Sequence, residues 1–141
     1  MTGDADLARK TAQRARKRRI ARQIKPDGSQ PFELARTTPF FYVQYNLAAM
    51  FKLATRAEHA GIDLWRYETD RGVGIRRALD IVVPHLEDRS TLVALDGQAQ
   101  WCPPFYAVLS QAGRVYGDER YVNVLSGLPD KTTLSFIDLI R

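Results

Sequence analysis

The run from Thr38 to Gly61 constrains this chain more than any other segment. Thr38 suits a helix N-cap, and Pro39 suits the first helical position, where its missing N–H is not needed. Phe40, Val43, Leu47, Met50 (or Phe51), Ala54 and Ala57 then recur at the spacing of one helix face, and Gly61 supplies a stop. A long helix with one apolar stripe must bury that stripe against other elements.

The other segments speak the same language. Residues 5–24 read as a helix rich in Ala, Arg and Gln, ended by Lys25-Pro26-Asp27-Gly28. Ala8, Ala12 and Ala15 share its thin apolar face, while Ile20 and Ile24 pair with each other well round from it. Ser29 to Thr38 is polar, holds Pro31 and reads as an extended loop. Asp63–Gly72 reads as a connecting loop carrying Trp65 and Tyr67. Ile75, Leu79, Val82 (or Val83) and Leu86 mark a helix that Pro84 bends or closes. Phe105, Val108, Leu109, Ala112 and Tyr116 mark another, broken at Gly117-Asp118, and Tyr121, Val124, Leu125 and Leu128 a short one before Pro129. Leu134, Ile137 and Ile140 suggest a last short helix, and Thr91–Leu95 is the one candidate strand. The class is all-α. Amphipathic helices alternating with loops of roughly ten residues are the pattern of stacked helical hairpins, with function gathered on the loop face.

Composition narrows the function. The 141 residues, 45% of them hydrophobic, fit one domain with a real core. No stretch is apolar enough to span a bilayer, so no membrane role is expected. The net charge of +5 is concentrated: residues 1–25 hold nine Lys or Arg against two acids, and the other 116 residues hold 12 bases against 14 acids. The opening Met-Thr-Gly-Asp-Ala-Asp, followed by bases rather than an apolar run, does not read as a signal peptide. Arg16-Lys17-Arg18-Arg19 could face a polyanion, but no aromatic interleaves to stack on bases, which disfavours nucleic acid.

Candidate chemistry is sparse. His59, His85 and Cys102 lack metal-ligand spacing, so no metal is expected; Cys102 has no partner for an intrachain disulfide. Gly72-Val73-Gly74 is too short for a phosphate loop and follows no strand. The stretch Asp27 to Asn46 carries more. Its loop sets Glu33 and Arg36 just before a helix whose first turns hold Tyr42 and Tyr45. A guanidinium fork suits a carboxylate, and a tyrosine beside cations can move a proton. The plainer alternative is a Glu33–Arg36 capping pair with both tyrosines in the core.

Residues 18–53, with the block Asp-Gly-Ser-Gln-Pro-Phe-Glu-Leu-Ala-Arg-Thr (27–37) followed by Tyr42 and Asn46-Leu47, closely resemble the alginate lyase domain family. Gly61-Ile62-Asp63-Leu64-Trp65, Ala78-Leu79-Asp80 and Tyr116-Gly117-Asp118…Tyr121 resemble its continuation. The resemblance covers the C-terminal part of that family's domain. It implies a partial (α/α) toroid, in which residues 1–25 form a basic helix continuous with the domain and residues 26–141 the toroid part.

The activity implied is β-elimination on an acidic polysaccharide, alginate or a related polyuronate, without any metal or organic cofactor. Arg36 would neutralise the uronate carboxylate and Tyr42 would transfer the proton. Gln30, Glu33, Tyr45, Trp65 and Tyr67 would line the substrate, and Trp101 is a further loop aromatic that could stack on a sugar. A periplasmic location is implied, and the earlier half of the domain, or a second copy, as a partner. In one branch of the family an Asn-His dipeptide joins the arginine and tyrosine; here Asn46 and Asn123 are the only asparagines and neither precedes a histidine. The expectation is therefore a shortened lyase domain, weak or inactive alone. The alternative is a non-enzymatic helical module for polyanion binding or assembly.

Overall fold

The structure, a computed structural model, describes residues 2–88 and 104–127. Its helices are α1 (Thr2–Ala15, prolonged by a π turn, Arg16–Ala21), α2 (Pro31–Leu34), α3 (Pro39–His59), α4 (Ile75–Asp80), α5 (Val83–Glu87), α6 (Phe105–Tyr116) and α7 (Glu119–Ser126). Among the described residues every regular element is helical. Thr91–Leu95, Trp101, Cys102 and the C-terminal Leu134, Ile137 and Ile140 lie outside those residues.

Helix α3 is the organising element, packed against α1, α2, α4 and α6. Phe40, Val43, Leu47, Met50, Phe51, Ala54 and Ala57 are all buried on it. Its C-terminus closes as a Schellman motif: the Gly61 N–H donates to the Glu58 carbonyl at 3.0 Å and the Ile62 N–H to the Ala57 carbonyl at 2.9 Å. Gly61 takes φ +76°, which only glycine adopts without strain, and Ile62 folds back into the core.

The N-terminal helix differs from its expected face. Ala8 is exposed, whereas Ala12, Ala15, Ile20 and Ile24 are all at most 4% exposed. In an unbroken α-helix, five residues at about 100° each would carry Ile20 roughly 140° past Ala15. The π turn bonds each residue to the fifth along, bringing Ile20 back over Ala15. One irregular turn thus merges two apolar faces into one and docks the basic segment onto the body.

Two further boundaries moved. The expected helix across Ile75 to Leu86 is two, because the chain turns at Ile81-Val82 and Pro84 sits in the first turn of α5. Ile75, Leu79, Val82, Val83 and Leu86 are all buried regardless. The stretch expected to be an extended loop contains α2, because Pro31 brings a preset φ and no N–H to satisfy. Helices α6 and α7 form as expected, hinged where Gly117 takes the left-handed conformation and the Asp118 side chain accepts from the Arg120 N–H.

Candidate functional site

The segment between the π turn and α3 is held by short-range chemistry. The Ser29 N–H and hydroxyl both donate to Asp27 Oδ1, at 2.8 and 2.6 Å, and these bonds hold the Asp27 carboxyl below the usual carboxylate range. Gly28, at φ +90°, lies so close to α4 that a Cβ there would stand 2.5 Å from the Arg77 carbonyl oxygen. From this anchored turn the chain enters α2, where the Glu33 and Leu34 N–H groups donate to the Gln30 carbonyl and the Arg36 N–H to that of Glu33. Glu33 stands half-buried on α2.

That path delivers Arg36 to Tyr42. Helical side chains lean toward the N-terminus, so Tyr42, in the first turn of α3, leans back over the loop that carries Arg36. The Arg36 guanidinium carbon lies 3.9 Å from the centre of the Tyr42 ring. Such a cation–π contact is worth about 0.5–1 kcal/mol at an exposed site. Among the described residues neither Arg36 nor Glu33 takes part in a salt bridge, and Arg36 is exposed. The capping-pair alternative is not what forms. Tyr45 is 59% exposed and Tyr42 half-buried, so neither is a core aromatic.

Behind this pair sits a polar hub that sequence reasoning passed over. Asn46, one helical turn after Tyr42, donates from Nδ2 to Gln30 Oε1 at 2.7 Å and to Gln23 Oε1 at 3.2 Å. Gln30 is 1% exposed, and its Nε2 has no hydrogen-bond partner among the described residues. Gln30 therefore pins the loop from behind instead of facing outward. The available signal was the i, i+4 spacing of Tyr42 and Asn46, which puts both on one side of α3.

The loop aromatics separate. Trp65 is 3% exposed, with Phe51 edge-on at 5.0 Å and Tyr116 edge-on at 6.5 Å between ring centres. Its indole has no face left for a sugar; the expectation of a substrate contact gives way to a packing role, because the Schellman turn folds this loop inward. Tyr67 is half-buried, with the Arg16 guanidinium 5.2 Å from its ring centre. It ties the 65–73 loop to the π turn.

A second arginine–tyrosine cluster joins α4 to α7. Tyr121 is fully buried; its hydroxyl donates to Asp80 Oδ1 and accepts from Arg76 Nε at 3.2 Å. Arg76 also reaches Asp118 at 2.9 Å, and Arg120 reaches Asp80 at 2.8 Å. The Arg120 backbone N–H, reinforced by the Arg120 and Arg76 guanidinium groups, holds the Asp118 carboxyl below its ordinary range. Burial, with the Asp80 hydrogen bond, pushes the Tyr121 phenol up. Burial raises Tyr116 as well, whose hydroxyl donates to the Trp65 carbonyl at 3.0 Å. Here every cation and carboxylate is satisfied within the protein.

With this geometry in place, likeness to known proteins decides the family. The family model described as alginate lyase matches residues 1–92, from α1 through the end of α5. The chain belongs to the alginate lyase family. Its structure is similar to the crystal structure of an alginate lyase from Bacteroides ovatus, with a TM-score of 0.79 and 28% sequence identity. That likeness covers 92% of this chain and 35% of the Bacteroides enzyme, so the chain spans about a third of that alginate lyase's length. No curated protein matches the chain. The stacked helices are an arc of the (α/α) toroid expected for alginate lyases. The described helices include none long and apolar enough to cross a membrane, and the described residues include no cluster of His, Cys, Asp and Glu fit to hold a metal.

Proposed function

We propose that this chain carries the arginine–tyrosine half of a polyuronate lyase site and acts by β-elimination on alginate or a related uronic-acid polymer. The observation that carries the reading is the Arg36 guanidinium poised 3.9 Å over the Tyr42 ring, with no carboxylate among the described residues engaging it. A uronate carboxylate fills that vacancy with a bidentate, charge-assisted contact. Neutralising the carboxylate makes the adjacent C5–H more acidic, since the developing carbanion places its charge there. Tyr42 takes the C5 proton or protonates the departing glycosidic oxygen, or does both in turn. The C5–H and C4–O bonds break and a C4–C5 double bond forms. Glu33 and exposed Tyr45 flank the sugar, while Gln30 acts through Asn46 by fixing the loop.

Residues 1–25 are read as continuous with the domain of residues 26–141, a reading supported by the burial of Ala12, Ala15, Ile20 and Ile24. A periplasmic location belongs to the same proposal, on the strength of the family. Because the chain has no Asn-His dipeptide, turnover by the purified chain is expected to be weak.

The test is the ultraviolet absorbance of the unsaturated uronate product, followed with alginate and other polyuronates alongside direct binding. Tyr42→Phe should abolish whatever turnover is present while leaving binding, and Arg36→Gln should weaken both. Unchanged turnover and binding in both variants would sink the site. Strong turnover by the unaltered chain would sink the expectation of weakness.

A further inference from the structure

A concave pocket of about 390 Å³ opens where the exit of the N-terminal helix meets the loop before α4. Arg22 and Lys25 stand on one wall, Arg71 and Asp70 on the other, and Ile24 and Val73 contribute apolar lining. Three cations therefore face one carboxylate. Among the described residues, none of the three cations takes part in a salt bridge. Lys25 also interacts with the nearby Asp27 carboxylate, and the lining still carries more positive than negative charge, in a cavity large enough for a small polar ligand.

Both walls are set in advance. On one, the Lys25 N–H donates to the Ser29 carbonyl at 2.9 Å and the Gly28 N–H to the Lys25 carbonyl at 2.8 Å. On the other, Thr69 Oγ1 accepts from the Arg71 and Val73 N–H groups, at 3.3 and 3.2 Å. The Thr69 N–H donates to the Val73 carbonyl at 3.0 Å, closing the loop. The Thr69 hydroxyl, accepting twice, keeps its own proton to donate. Fixed donors lose little freedom when a ligand arrives, which favours affinity.

The pocket is tied to the Arg36–Tyr42 end through one side chain: Gln23, next in sequence to the lining residues Arg22 and Ile24, accepts from Asn46, and Asn46 lies one turn from Tyr42. We propose that this pocket is a second, non-catalytic uronate subsite, which grips one carboxylated sugar of the polymer whose neighbouring unit lies at Arg36. Cations hold the carboxylate, the Thr69 hydroxyl meets a sugar hydroxyl, and Ile24 and Val73 meet the apolar ring face. No aromatic is among the described residues that line the pocket, which argues against a nucleobase. This inference rests on the reading of the Arg36–Tyr42 end as a polyuronate site and adds a place where the chain is held without being cleaved.

The experiment is backbone amide shift mapping of the full chain during titration with short mannuronate or guluronate oligosaccharides, against a neutral mannan oligosaccharide of equal length. Shifts are expected at residues 22–25 and 69–73 as well as 36–45, with the neutral sugar inert. The double variant Arg22→Gln/Arg71→Gln should keep its helical circular dichroism and bind about tenfold more weakly, the loss of roughly two modest ion contacts. Shifts at 36–45 alone would overturn the subsite and leave the lyase reading intact. Shifts at 22–25 and 69–73 alone, unchanged in Arg36→Gln/Tyr42→Phe, would keep the pocket and sink the lyase site. Equal shifts from the neutral sugar, or none from any sugar, would overturn the subsite.

Discussion

Two of the arginine–tyrosine contacts, at Tyr42 and at Tyr121, teach opposite things. At Tyr121 two guanidinium groups lie near the ring, Arg120 at 5.2 Å and Arg76 at 6.0 Å from its centre. Asp80 and Asp118 satisfy both arginines, and the phenol is buried. At Tyr42 one guanidinium lies closer, at 3.9 Å, with no carboxylate of the described residues on it and a half-buried ring. The same two residue types make a fastening in one place and a candidate site in the other. The difference among the described residues is the carboxylate: Asp80 and Asp118 supply it at α4 and α7, and none pairs with the arginine at the head of α3.

That contrast can be broken by experiment, and the largest effect is expected at the open cluster. Tyr42→Phe should lower turnover by roughly 10²–10⁴-fold, the usual worth of a positioned proton-transfer group, with an unchanged urea midpoint. A shifted midpoint with normal turnover would reverse the roles of the clusters. Gly28→Ala probes the loop that carries Arg36. Positive φ and the 2.5 Å approach to the Arg77 carbonyl should together cost about 2–3 kcal/mol in denaturant unfolding. A neutral result would show the loop free to move away from α4.

At the closed cluster, Tyr121→Phe should cost about 1–2 kcal/mol of stability, because it strips a buried hydrogen bond from Asp80 and Arg76, and should leave polyuronate binding alone. Loss of binding without loss of stability would mean that this cluster also meets ligand. The smallest effect is the pH profile of the urea midpoint. The Asp118 carboxyl, held low in the folded state, stabilises above its unfolded value of about 3.8, and this contribution is lost as pH falls through the folded value. Tyr116 and Tyr121, raised in the folded state, stabilise below about 10, and theirs is lost as pH climbs through the folded values. The midpoint should be flat from about pH 5 to 9 and fall on both sides. In Tyr121→Phe the alkaline fall should shrink.

Much of this was legible in the residues themselves. The apolar stripe of α3, its proline start and glycine stop, and the break at Gly117-Asp118 are local signals, and local physics honours them. The Arg36–Tyr42 pairing was legible because both residues sit within one turn of a single helix start. Trp65 was not: nothing in a charged loop announces that it folds inward between Phe51 and Tyr116. The Asn46 hub was also missed, since its partners Gln23 and Gln30 are far away along the chain and become neighbours only when the loop lies on α3.

The sequence by itself determined that this protein is helical, where its long helix begins and ends, and that Arg36 can reach Tyr42. Those outcomes depend on φ preferences, caps and a 3.6-residue repeat that neighbours in the chain can satisfy alone. Tertiary structure alone decided that the N-terminal helix would take a π turn, that Trp65 would be core, and that one arginine–tyrosine cluster would be neutralised and the other left open. Each of those depends on what a distant segment brings to the contact, a carboxylate or an apolar face, and no spacing rule along the chain carries that information.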